Sequence, residues 1–350
     1  MAYTTINKSS DYFNTKIWTG TGANLSITGV GHQPDFTWIK NRANTDDHNL
    51  FDVLRGFSTD ALLRSNTTGA ATDTTDGIKS FDSDGFSLGA NGSSNGNGQG
   101  MVAWNWKAGG GQGSANTDGS INTTYTSANT TAGFSISKYT GNNTSGATIG
   151  HGLGAVPKMI IVKRLDTADQ WCVYHQSIGN TKRIKLNSTD ATSTGSGYWN
   201  NTTPTSSLFT IGNSSEVNGS NGNYIAYCFA EKTGYSKFGS YTGNGSTDGT
   251  FVYTGFKPAW VMIKKSSASG TSWEIRDNKR QPFTDGNAKR LFADDSSAES
   301  SNNEAIEKLS NGFKIRSTGG GHNTSGATYI YMAFAEAPLV GSNNVPCTAR

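Results

Sequence analysis

The sequence predicts an all-β protein built as three tandem antiparallel β-sandwich repeats of about 100 residues each, and three observations carry that expectation. An aromatic-rich run occurs three times, as Met101–Ala108, Tyr224–Glu231 and Tyr329–Glu336. Five further elements recur around it in the same order. The composition is also that of short strands between turns: 33% hydrophobic and 11% aromatic, with 44 glycines among 350 residues. A chain this polar could be disordered, but disorder goes with few aromatics and high net charge, whereas the formal charge here is only +3.

Each copy opens on an aromatic followed by a Thr-Gly turn, at Thr19-Gly20, Thr140-Gly141 and Thr242-Gly243. A proline-led strand follows, with a lysine six residues beyond the proline in every copy: Pro34/Lys40, Pro157/Lys163 and Pro258/Lys264. Proline at a strand start sets φ and gives up no ladder donor. Next come Phe51/Val53, Trp171/Val173 and Trp273/Ile275, two apart and so on one strand face. The fourth element is Leu62–Arg64, Ile184–Leu186 and Arg290–Phe292. The fifth is Gly85–Leu88, Leu208–Ile211 and Gly312–Ile315, and the aromatic-rich run closes each copy with Trp106, Phe229 and Phe334 in register. The domain boundaries follow as 1–108, 132–233 and 234–339. Residues 109–131 form a Gly/Ser/Asn/Thr-rich segment, a flexible linker or an arm over a neighbouring surface, and 340–350 form a polar tail.

The four-residue joint Glu231–Gly234 predicts that the second and third copies pack as a fixed pair. Polar residues alternating on the outer faces predict sheets wetted on one side. Ala298–Leu309 is the one candidate helical turn.

Charge and cysteine content narrow the function classes. Lys and Arg are dispersed, which speaks against nucleic acid as a partner. No apolar stretch approaches the roughly 20 residues of a membrane span, and Met1–Tyr12 lacks a signal-peptide core. Cys172, Cys228 and Cys347 are odd in number and lack metal-ligand spacing, as expected of free thiols in a protein made in a reducing cytosol.

No catalytic constellation, cofactor motif or metal motif emerges. His32, His48, His151, His175 and His322 fall at unrelated positions and read as solvated loop side chains. The acidic pairs Asp46-Asp47, Asp82/Asp84 and Asp294-Asp295 are candidates for the two carboxylates of a glycosidase. They adjoin turn residues, however, where Asp caps its own backbone. Asp82-Ser83-Asp84-Gly85 would suit calcium, but the other copies lack the carboxylates. The glycan-binding candidates are Tyr198, Trp199 and Asn200, an aromatic pair beside an amide in wholly polar surroundings. A ring there could stack on a sugar, or simply cover its own sandwich.

Ser80–Gly89 and Val102–Gly110, with Phe51–Gly56 and Leu62–Asn66 upstream, resemble a domain family of marine bacteriophages, chiefly of cyanobacteria and pelagic bacteria. That family has concanavalin- or laminin-G-like sandwiches of jelly-roll type. The resemblance implies a virion structural or tail-fibre protein without enzymatic role. Its expected partners are other capsid or tail proteins and further copies of itself, trimers being common among phage appendages, with host-surface glycan as a further partner. Neither nucleic acid nor membrane insertion is expected, and the location would be the particle surface. The alternatives are a carbohydrate-binding adhesin and a polysaccharide-degrading enzyme on the same scaffold.

Overall fold

The computed structural model describes residues 3–280, 288–302, 306–341 and 343; Pro346 and Cys347 lie outside them. Strands dominate, in six sheets whose ladders are all antiparallel. Three larger sheets share one strand order at their centres. In the first unit, Phe13–Thr19 pairs with the closing strand Gly100–Trp106, which pairs with Phe36–Asn41 and through it with Asn49–Asp52. Phe134–Thr140, Asn223–Ala230, Pro157–Arg164 and Cys172–His175 follow that order in the second unit. Ser236–Thr242, Thr328–Pro338, Phe256–Lys265 and Glu274–Asp277 follow it in the third. A small sheet of two or three strands covers one face of each larger sheet, closing a core of its own.

The Thr-Gly turns have a packing reason. A Cβ on Gly20, Gly141 or Gly243 would come within 2.2, 2.5 or 2.4 Å of a backbone oxygen in a facing loop. That loop carries a buried asparagine in each unit. Asn95 donates to Ala23 and Gly89 carbonyls, Asn218 to Thr144 and Gly212, and Asn323 to Ser246 and Ser317. Each also accepts a backbone N–H just past its glycine, from Thr21, Asn142 or Asn244. The short sequences Asn95-Gly-Asn-Gly98, Asn218–Gly222 and Asn323–Gly326 were the available signal for this clasp.

The other face of each larger sheet is buried too, which overturns the expectation of wetted faces. Side chains from all three sheets form a single central core, and the in-register aromatics meet there. Trp106 lies 6.4 Å from Phe229 and 5.8 Å from Phe334, and Phe229 lies 6.3 Å from Phe334, ring centroid to ring centroid. The closing strands supply alternate residues to two cores. Val102, Trp104 and Trp106 face the centre, while Met101 and Ala103 face their own small sheet. Two-faced burial explains why these runs are nearly continuous in apolar residues. The second and third units do pack against each other, and the first completes the same core.

Two more expectations change. Tyr125–Asn129 of the proposed linker is a strand on the outer edge of the second sheet, and Ile121 bridges to Ile149 in the small sheet. This polar stretch buries little beyond Ile121, Thr123 and Ser127, so its sequence carries weak strand signal. The described parts of the candidate helix Ala298–Leu309 are strands instead, Ser300–Asn302 and Ile306–Leu309. Pairing of Ile306 with Ile315 places it in the third unit's core and overrides local helical preference.

Candidate functional site

The chemically interesting side chains gather where the units meet, and their contacts run in one rotational sense. Trp171 Nε1 of the second unit donates to Arg64 O of the first at 3.0 Å, and Trp273 Nε1 of the third donates to Lys185 O of the second at 2.7 Å. Between the first and third units the corresponding ties are His48, facing the backbone of Phe292 and Asp295, and Ser65 Oγ donating to Ala293 O at 2.7 Å.

The recurrent lysines sit in the same seams, all three side chains buried. Lys163 Nζ donates to Arg164 O at 2.8 Å and to Thr68 O of the first unit at 3.2 Å. Lys264 Nζ donates to Thr271 O and, at 3.0 Å, to Thr189 O of the second unit. Lys40 Nζ donates to Asn41 and Asn44 carbonyls, with the charge of Asp295 nearby. Burial lowers each lysine from 10.5 to about 8, against the opposing pull of neighbouring aspartates.

The unfolded chain therefore binds these protons more tightly than the folded one. Stability is expected to rise with pH from about 8 until buried tyrosines such as Tyr139 and Tyr227, pushed well up by burial, oppose it above about 10. Urea midpoints measured across that window should climb, and Lys163→Met should flatten the climb. A midpoint independent of pH in both proteins would contradict the assignment.

A second set of ties follows each fourth strand. Asp52 pairs with Arg55 at 2.6 Å and accepts the Tyr227 hydroxyl of the second unit at 2.7 Å. Asp277 pairs with Arg280 at 2.6 Å and accepts Trp104 Nε1 of the first unit at 2.9 Å. Burial alone would raise the Asp277 carboxyl, but the charge and hydrogen bonds of Arg280 together hold it below its usual range. At the corresponding place in the second unit stands His175, whose Nε2 meets Tyr331 O of the third at 3.1 Å.

The sequence-nominated residues fall into this framework. All five histidines are buried, not solvated. His32 Nδ1 meets Ser10 O at 2.8 Å, His48 Nδ1 accepts from Trp38 Nε1 at 2.8 Å, and His151 Nε2 meets Thr205 O at 3.2 Å. His322 Nε2 lies 2.8 Å from Glu274. Burial drives His32 and His175 down to about 4 and His48 to about 3. His175 ends the strand Cys172–His175, and each histidine is covered by residues distant in the chain, which spacing along the chain does not reveal.

The acidic pairs are spent on local bonds. Asp46 accepts from Asn41 and Asp47 from Asn66, while Asp294 accepts the Trp273 backbone N–H and Asp295 that of Ser297. Asp84 caps the Gly29 and Gly31 N–H groups at 2.9 and 2.7 Å, and Asp82 accepts from Ser87. No grouping of three or more His, Cys, Asp or Glu suited to a metal occurs among the described residues.

Tyr198, Trp199 and Asn200 lie together on a short turn, but Trp199 is only 1% exposed and packs edge-on against Tyr174 in the second unit's own core. A buried indole presents no face to a sugar. The Tyr198 ring lies under Arg183, whose guanidinium carbon is 4.5 Å from its centroid, and Asn200 is held left-handed at the turn. Polar sequence neighbours concealed this, because the turn folds back onto the sheet. Aromatics that do face outward include Phe57, 39% exposed in the first unit, and Phe251 and Tyr253, 42% and 53% exposed on one small-sheet strand of the third.

Surface clefts among the described residues include two. One, of about 230 Å³, lies in the second unit beside Pro157 and Gln176; the other, of about 270 Å³, lies between the first and third units beside Phe13 and Asn278.

Among the described residues no helix is long and apolar enough to cross a membrane. No curated protein and no solved structure matches the chain. One family model does match, over residues 8–338, and so runs through all three units. The chain belongs to that family, described as Domain of unknown function (DUF7483).

Proposed function

We propose that this chain is a non-enzymatic structural protein of a virion exterior, acting in particle assembly and in attachment to the host surface. The observation that carries the reading is the use made of its ionisable interior. Buried lysines, Asp–Arg pairs and histidines are committed to backbone carbonyls and to seams between units, where they tie the three units together. Groups fixed in this way are poorly placed to exchange protons with a substrate.

The sequence resemblance to phage virion proteins supplies the setting. The cyclic arrangement supports it, since one chain presents three similar sandwich surfaces around a common core, a shape suited to a repetitive exterior lattice or a tail appendage. Proteomic analysis of purified particles from the source lysate should find the chain in stoichiometric amount, and cryo-EM of those particles should place it on the tail or the capsid shell. Its absence from intact particles would overturn the reading.

A further inference from the structure

The small sheets of the three units differ on the face turned to solvent. In the third unit this sheet places Phe251–Tyr253 beside Gly312–Ile315, and that strand beside Ile306–Leu309. Val252, Phe313, Ile315 and Ile306 turn inward to the unit's own core, so Phe251, Tyr253 and Lys314 turn outward. Register fixes the corresponding places. Val252 opposite Phe313 matches Ile27 opposite Phe86 in the first unit and Ile149 opposite Phe209 in the second. Phe251 and Tyr253 therefore stand where the first unit has Ser26 and Thr28 and the second has Thr148 and Gly150. Two units of the same fold carry no ring at these places, so packing does not require one.

Both rings are open to contact. Tyr253 lies beside the hydroxyl of Tyr3, which donates to Gly255 O at 2.8 Å. Opposite Tyr253 stands Gly312, which has no side chain to cover the ring, and opposite Phe251 stands Lys314. Lys314 Nζ reaches Asp248 at 2.5 Å, and Arg316 reaches Asp248 at 3.3 Å and Glu307 at 2.7 Å. These polar groups are accessible: the Asp248 side chain is 78% exposed and that of Arg316 41%. Two cations and two carboxylates thus border the rings.

From this we infer that the outer face of the third unit's small sheet binds a saccharide chain. A pyranose has a C–H face that lies on an aromatic ring and a rim of hydroxyls that both donate and accept. Phe251 and Tyr253 meet the first, and the band of Lys314, Asp248, Arg316 and Glu307 meets the second. An apolar protein surface or a bilayer interior would strip water from four charged groups, a cost their pairing does not offset. Nucleic acid needs an excess of positive charge, and here cations and carboxylates balance. Outward positions two apart on a strand are separated by about 7 Å, so the two rings suit successive sugars of a chain. The inference deepens the attachment part of the proposed function. Its test uses the purified chain, so its failure and the chain's absence from particles are separate results.

The test is an NMR titration of the full chain with cellohexaose, laminarihexaose, mannohexaose, chitohexaose and a hexameric alginate. At least one should shift the amides of Phe251, Tyr253 and Lys314, while those of Ser26, Thr28 and Thr148 stay silent. Phe251→Ser and Tyr253→Thr install the first unit's residues. Each should weaken binding by about tenfold or more without lowering Tm, because both side chains are exposed. If none of the five saccharides shifts these amides, or if the double variant binds as well as the wild type, the inference fails. Sedimentation velocity of the chain alone and flotation with phosphatidylcholine–phosphatidylglycerol vesicles test the rival occupants. Self-association or vesicle binding that the double variant abolishes would assign the face to a second copy or to a lipid surface, and would overturn the inference as well.

Discussion

Trp106→Ala is expected to destabilise the whole chain by about 3–5 kcal/mol, the usual cost of truncating a large buried aromatic. Trp106 is 1% exposed and its ring meets partners from every unit. Phe13 and Phe36 of the first lie at 5.0 and 5.2 Å, Phe229 of the second at 6.4 Å, and Trp260 and Phe334 of the third at 5.7 and 5.8 Å. Removing it leaves a void that no single sandwich can close by local collapse. The wild type should melt in one calorimetric transition, and the variant should melt in one transition at lower temperature. Hydrogen exchange should show protection falling together in Gly100–Trp106, Asn223–Ala230 and Thr328–Pro338. Loss confined to the first unit would show that the three sandwiches are energetically separate.

Asp52→Ala is expected to cost a similar amount, about 3–5 kcal/mol, because it strands the Arg55 guanidinium in the interior. The Asp52 and Arg55 side chains are both fully buried, and Asp52 also receives the Tyr227 hydroxyl across the seam. Tyr227→Phe removes that hydrogen bond to a charged acceptor, together with the long one at 3.5 Å that the hydroxyl accepts from Arg55 Nη2, and should cost about 1.5–3 kcal/mol. The two changes share one carboxylate, so the double variant should fall short of the sum by more than about 0.5 kcal/mol. Urea unfolding of the four proteins checks this. An Asp52→Ala variant within about 1 kcal/mol of the wild type would mean that the pair does not tie the units together.

Much of the architecture was legible because strands announce themselves by period and by punctuation. The proline-led strands, the Thr-Gly turns and the aromatic closing runs occupy corresponding ladder positions, and Trp106, Phe229 and Phe334 lie in register as their spacing implied. A further clue was present and misread. Met101–Trp106 and Tyr224–Ala230 barely alternate, which signals burial on both faces rather than wetted sheets. The recurrent lysine was visible as a pattern, but its role was not, because its acceptors at Thr68 and Thr189 lie 95 and 75 residues away.

Site residues were the least legible. Trp199 looked exposed because its neighbours in the chain are polar, yet exposure depends on what folds over a side chain. The histidines misled in the same way. Phe251 and Tyr253 drew no attention, since aromatics in a strand are ordinary until their counterparts Ser26, Thr28, Thr148 and Gly150 are seen at the same outward places.

The sequence by itself determined the all-β class and the near-neutral, turn-rich composition, since these follow from local composition and spacing. Tertiary structure alone decided that three sandwiches share one aromatic core, that their lysines, aspartates and histidines tie the seams, and that Phe251 and Tyr253 face outward. Those outcomes depend on contacts between residues far apart in the chain, where no local period records which side chain will face which.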